Sequence, residues 1–231
     1  MCRMLGLTNF VFRKHEGILM DFFELAESGN TLPGDSPGHL DGWGIGFYKN
    51  GKAVVHKSGH SIVKEKGAFF KICETVKTSN ILLIHFRKSS WKETSTLVHA
   101  HPFMAGNVLF AHNGTIRDFK ALRKKIILNP PPGQTLDTEV YLRYVMNFIS
   151  LGLANAFQKA IRDIRTNHRY SSLTCLFSDG DRLYGFREYT RAPWYYTLYH
   201  ARNEESAMIS SQPVSKDLHW KMVPRRKLLV L

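Results

Sequence analysis

At 231 residues and 43% hydrophobic content the chain can bury one sizeable core, and residues 1–231 read as a single domain. No run approaches the ~20 apolar residues of a membrane span, and the Met1-Cys2-Arg3-Met4-Leu5-Gly6 start lacks a signal peptide's apolar core, so the expected setting is soluble and cytoplasmic. The formal charge of +13 is spread out, with short clusters at Arg123-Lys124-Lys125 and Arg225-Arg226-Lys227 and no nucleic-acid motif beside them; it reads as solvated basic faces with some attraction for anionic substrates.

Taken in order, Leu5 to Phe12 is a predicted strand running out of Cys2. Ile18, Leu19, Phe22, Phe23 and Leu25 give His15 to Ser28 a helical period. Gly, Pro, Asn and Asp then make 29–41 a loop. Asn50-Gly51 between the apolar runs 42–48 and 53–56 predicts a hairpin. Glu65 to Lys77 reads as a helix, and 81–86 and 108–111 as buried strands. Ile116 to Lys125, Thr138 to Ile149 and Ala154 to Thr166 are predicted helices, with a break at Asn129-Pro130-Pro131-Pro132-Gly133. Thr135 or Asp137 is placed to cap the second of them. Strands are expected at 172–177, 182–187, 194–199, 207–210 and 227–231. This order, with hairpins rather than βα alternation, predicts an α+β fold with mostly antiparallel sheets.

Five places carry chemistry. Cys2 follows the initiator methionine, and its small side chain permits removal of Met1. It would then hold a thiol and a free α-amine on one carbon, a nucleophile with a built-in base. Cys73 and Cys175 lie in apolar stretches and read as core residues. Arg87 follows a buried strand, where its planar fork suits a carboxylate. His99-Ala100-His101, on an expected strand, puts both rings on one face, and with His85 and His112 raises a zinc hydrolase as a competitor. No His-Glu-x-x-His helix accompanies them. Asn113-Gly114 either makes a tight turn, where the predicted strand ends, or aims an amide and a backbone N–H at one oxyanion. Asp137 either caps a helix or binds an ammonium.

The order N-terminal Cys, His-x-Arg, Ala-His-Pro, His-Asn-Gly, Asp-Thr-Glu resembles the class II glutamine amidotransferases, which belong to the N-terminal-nucleophile hydrolases. The segment Asp41-Gly42-Trp43-Gly44-Ile45-Gly46-Phe47-Tyr48 is similar to the short stand-alone branch, which includes γ-glutamyl hydrolases. The likeness is dense over the first 150 residues and looser after them, where Ser210-Ser211-Gln212-Pro213 sits at the family's Ser-Glu-Pro turn.

The resemblance implies a four-layer αββα fold and the following roles. Cys2 attacks the γ-carboxamide, Asn113 and Gly114 form the oxyanion hole, Arg87 holds the α-carboxylate and Asp137 the α-ammonium. Ser90 stands where the family has a threonine near the glutamine, and His101 is a supporting residue. Lys88 replaces an aromatic residue in the loop that covers the glutamine. The implied substrate is glutamine or another γ-glutamyl compound, with no metal or cofactor. Ammonia would go to a separate acceptor protein or to bulk water. A homo-oligomer is compatible with the sequence, as is a non-catalytic binding module of the same fold.

Overall fold

Two antiparallel sheets face each other, and alternation along their central strands decides what lies between them. The computed structural model describes residues 2–89, 92–128 and 135–231. The first half of the chain supplies the strands β1 (Arg3–Val11), β2 (Trp43–Lys49), β3 (Lys52–Ser58), β4 (Thr78–Phe86), β5 (Phe103–Ala105) and β6 (Val108–Ile116). The second half supplies β7 (Tyr170–Ser178), β8 (Leu183–Phe186), β9 (Tyr199–Arg202), β10 (Ala207–Ser210), β11 (Lys221–Met222) and β12 (Leu228–Val230). The larger sheet has the order β11-β9-β10-β1-β4-β2-β3 and the smaller β12-β8-β7-β6-β5. Helices α1 (Phe12–Ser28), α2 (Lys66–Val76), α3 (Phe119–Arg123), α4 (Asp137–Met146) and α5 (Leu153–Asn167) complete the fold.

Three apolar layers follow from the strand period. Leu5, Leu7, Ile45, Phe47, Leu82, Ile84 and Phe86 leave the larger sheet toward α1 and α2. Met4, Ile81, Leu83, Leu109, Ala111 and Leu176 fill the space between the sheets. Phe110, Leu173, Cys175 and Phe177 leave the smaller sheet toward α4 and α5. The result is a four-layer αββα sandwich of the α+β class. Each fully buried Leu or Phe contributes about 1.5–3 kcal/mol, so the register is strongly held. A one-residue slip of β1 would turn Met4 out of the inter-sheet space, and Cys2 with it, because the two share a face.

The predicted hairpin forms, with Asn50 and Gly51 both at positive φ (52° and 73°). Four expectations are corrected. Strand β6 does not stop at Ala111; it runs to Ile116, so Asn113 and Gly114 are strand residues paired with Thr174 and Leu173. The neighbouring strand satisfies this backbone, which local turn propensity cannot foresee. The helix expected at 116–125 shrinks to Phe119–Arg123 as a result. His99 lies in a 3-10 turn rather than a strand, with Thr96 Oγ1 at 2.9 Å from its Nδ1. Segment 194–198 is not a strand; β9 starts at Tyr199. Most of the Asn129–Gly133 break's neighbourhood, including the break itself, lies outside the described residues, as do Ser90 and Trp91.

Candidate active site

Cys2 lies at the head of β1, the strand flanked by β4 and β10. It shares the face of Met4, so its side chain enters the gap between the sheets. Asn113 shares the face of Leu109 and Ala111 on β6 and enters the same gap from the other side. The two meet: the Cys2 nitrogen donates to Asn113 Oδ1 at 2.9 Å. That donor fixes which end of the amide is oxygen, and leaves Nδ2 pointing elsewhere. Asn113 is fully buried, and its Nδ2 has no hydrogen-bond acceptor among the described residues. An orphaned buried donor of this kind costs about 1–3 kcal/mol, and an acceptor arriving with a ligand would remove that cost.

Gly114 is required for steric reasons. A Cβ there would run into the Ser172 carbonyl on β7 and lie 2.7 Å from His112 Nε2. The same close approach explains glycines at 44 and 46. A Cβ at Gly44 would collide with the His101 carbonyl, and one at Gly46 would come within 2.9 Å of Pro102. The alternating glycines of β2 therefore let segment 101–102 press against the larger sheet.

Around the thiol, the backbone of Lys88 provides both partners. Lys88 N–H donates to Cys2 Sγ at 3.4 Å, and Lys88 O lies 3.7 Å from it. The Lys88 ammonium reaches away, donating to the Ser36 and Gly38 carbonyls, at 2.5 and 3.0 Å, and to Ser36 Oγ. It thus ties the glycine-rich loop at 29–41 to the edge of the site, a use of this lysine that the sequence alone does not reveal. The loop is tied a second time through Asp41, whose Oδ2 accepts from Ser89 N–H at 2.8 Å.

Arg87 is 5% exposed and donates through Nη2 to Thr94 Oγ1 at 2.7 Å. Burial lowers its pKa, opposed by attraction to Cys2, Asp41 and Asp137, so the guanidinium stays charged among those groups. Asp137 is the first residue of α4 rather than its cap; its Oδ2 accepts from Ile116 N–H at 2.7 Å and lies 3.9 Å from His112 Nδ1. Thr135 does not cap either, since its hydroxyl donates to Glu139. Burial raises the Asp137 carboxyl, while His112, the Ile116 and Thr138 amides and Arg87 pull it back. Arg87 and Asp137 are therefore a buried cation and a buried anion within electrostatic reach of each other and of the thiol.

His101 stacks on His85 with ring centroids 4.2 Å apart. Burial holds both imidazoles well below their usual pKa, so both are neutral. Stacked rings of this kind do not converge on a common point, and among the described residues no three His, Cys, Asp or Glu side chains are grouped to hold a metal ion. Ser90 lies outside the described residues.

Two features behind the site were given no role from the sequence. Arg3 is buried on the helix side of β1, donating to Gln212 Oε1 and Asn30 O at 3.1 Å each, beneath the Tyr195 ring. Ser211 holds the next residue at both its backbone groups: its Oγ accepts from Met4 N–H and its N–H donates to Met4 O, each at 2.9 Å. The Ser210-Ser211-Gln212 turn thus clamps the start of β1 behind the nucleophile. Its only sequence signal is the looser Ser-Gln-Pro likeness.

Comparison with known proteins places the chain in a family and a fold. The family model described as "Glutamine amidotransferases class-II" matches residues 1–231. An uncharacterized protein of Methanocaldococcus jannaschii is 29% identical over 199 residues, covering 82% of this chain and 51% of that protein. The glutamine–fructose-6-phosphate aminotransferase of Bacillus subtilis is 27% identical over 141 residues, 59% of this chain and 23% of that enzyme. The chain thus spans about half or less of the length of these relatives. Among solved structures, a glutamine aminotransferase class-II domain protein from Silicibacter pomeroyi superposes with a TM-score of 0.67 at 18% identity, over 99% of this chain and 94% of that one. The B. subtilis glutamine phosphoribosylpyrophosphate amidotransferase gives 0.68 at 14% identity, over 99% and 47%. At such identities the superpositions speak for the fold, and the family model for membership. The chain belongs to the class II glutamine amidotransferases.

Proposed function

We propose that the protein hydrolyses the γ-amide of glutamine or of another γ-glutamyl compound, with Cys2 as nucleophile once Met1 has been removed. One observation carries this reading: the Cys2 nitrogen is fixed on Asn113 Oδ1, while Asn113 Nδ2 is buried beside it with no acceptor. A carboxamide oxygen on that donor would bring its carbon to the thiol.

The rest of the chemistry follows from the neighbours. The freed α-amine takes the thiol proton, and Sγ attacks the γ-carbon. Charge developing on the oxygen is met by Asn113 Nδ2 and the Gly114 N–H. The proton passes to the leaving ammonia or amine, and a γ-glutamyl thioester is left. Water then releases glutamate and restores the thiol. At the other end Arg87 holds the α-carboxylate and Asp137 the α-ammonium, a pair suited to the zwitterion of a free amino acid. Ser90 contributes a hydroxyl near the substrate, and neutral His101 supports the wall of the site. No metal or cofactor takes part. Ammonia passes to a separate acceptor protein or to water. The relatives' names supply the chemistry class only; their phosphosugar and phosphoribosyl substrates belong to enzymes much longer than the matched segment.

The test is turnover on a panel of γ-glutamyl amides, using protein whose mass shows the chain starting at Cys2 and protein that retains Met1. Only the first is expected to release ammonia or amine at an enzymatic rate. Full activity of the Met1-bearing sample would overturn the amine-as-base mechanism.

A second expected outcome separates binding from chemistry. Arg87→Ala should raise KM for glutamine about 30-fold or more, the scale of a lost charge-assisted hydrogen bond of ~2 kcal/mol or above. An unchanged KM would contradict the assignment.

A further inference from the structure

A cavity of about 790 Å³ adjoins the site at Asp137. Asp137 and Thr94, the latter the hydrogen-bond partner of Arg87, form part of its wall, whereas Cys2, Lys88 and Asn113 do not. It therefore opens beyond the end of the site where the α-carbon of a glutamyl unit would sit, opposite to the scissile amide. A free amino acid fills a small part of such a volume.

The lining is rich in cations. Arg117, Arg169 and Arg191 all line it, with Phe119 as an apolar surface. The Arg117 N–H donates to the Arg169 carbonyl at 2.7 Å, which sets these two residues side by side on neighbouring chain segments. Among the described residues none of the three guanidiniums forms an ion pair, in contrast to Arg225 and Arg226, which both hold the buried Glu188. Among the described residues that line it, Asp137 is the only carboxylate, and it is buried. All three are exposed, and Arg191 also bonds the Tyr196 side chain; guanidiniums around one cavity with no carboxylate partner among the described residues suit a carboxylate or phosphate.

We infer that the site also accepts peptides whose first residue is glutamine, and among them favours those whose next residue is acidic. This rests on the proposed hydrolase reading and extends it. With Asp137 on the α-ammonium, the free exit from the glutamyl unit is through its α-carboxyl carbon, as an amide. Arg87 then donates to that amide's carbonyl, and the following side chain meets the arginines. The bond changes are those of the simple hydrolysis. The Sγ–carbon bond forms as the carbon–nitrogen bond breaks, ammonia leaves with the thiol proton, and water cleaves the thioester. A terminal glutamine becomes a terminal glutamate.

The experiment measures ammonia release from glutaminyl-glutamate, glutaminyl-lysine and free glutamine, using protein that starts at Cys2. The expected kcat/KM for glutaminyl-glutamate exceeds that for glutaminyl-lysine about tenfold. In the double variant Arg117→Ala/Arg191→Ala that ratio should fall to near one, with free glutamine reporting that the variant is folded and active. Equal kcat/KM for the two peptides in the unmodified protein, or a ratio that survives the double variant, overturns the inference while leaving glutamine hydrolysis intact. Absence of turnover with all three substrates overturns the hydrolase reading itself.

Discussion

Cys2→Ala is expected to lower ammonia release from glutamine by about 10⁴-fold or more, to the level of the buffer. Removing a nucleophile that acts together with its base costs most of the rate enhancement, on the order of 10⁶ in well-studied hydrolases. In the proposed mechanism thiol and amine share one residue, so the alanine variant keeps the base but has no nucleophile. The substitution is structurally mild. Cys2 is 8% exposed, and the hydrogen-bond contacts of its Sγ among the described residues are with the Lys88 backbone, at 3.4–3.7 Å. The melting temperature should therefore move little. The other two thiols give the control. Cys73 and Cys175 are fully buried, and burial pushes the Cys73 thiol up to about 12. Neither can supply thiolate near neutrality. Alkylation of the folded protein should thus mark Cys2 and stop turnover, and Cys73→Ala should leave kcat intact. Residual activity above about 1% in Cys2→Ala would remove this residue from the mechanism.

What the sequence disclosed depended on how local the governing physics was. Helix periods, the Asn50-Gly51 hairpin and the order of motifs are local signals, and they led to the αββα sandwich. The path of residues 111–116 was not local. His112, Asn113 and Gly114 carry turn chemistry, yet β7 captures them as strand, and that pairing turns Asn113 inward toward Cys2. Asp137 stood out in the sequence with a helix cap as one reading, but its carboxylate is taken by the Ile116 amide, 21 positions away. The Lys88 ammonium was visible only as a departure from an aromatic position. Its role in holding Ser36 and Gly38 requires the loop's path. The glycines of β2 likewise explain themselves only once segment 101–102 is seen against them. Charge was read as a diffuse property of the surface, whereas Arg117, Arg169 and Arg191 gather around one cavity from three separate chain segments.

Asn113→Ala should lower kcat about 10²–10³-fold while KM changes only a few-fold. The magnitude is that of a single oxyanion donor, ~2.7–4 kcal/mol of transition-state stabilisation. On the proposed reading KM is insulated, because Arg87 and Asp137 rather than Asn113 would hold the glutamyl end. The alanine variant removes two functions together, the acceptor for the Cys2 nitrogen and the orphaned Nδ2 donor. Asn113→Asp separates them. A carboxylate still accepts from the Cys2 nitrogen and keeps the side chain's shape, but it offers no donor and places negative charge where the oxyanion would form. On the oxyanion reading Asn113→Asp is at least as slow as Asn113→Ala, although it keeps the contact that orients the nucleophile. A stable, folded Asn113→Asp protein with near-normal kcat would instead limit Asn113 to holding the Cys2 nitrogen, and the donor for the developing charge would have to be the Gly114 backbone alone.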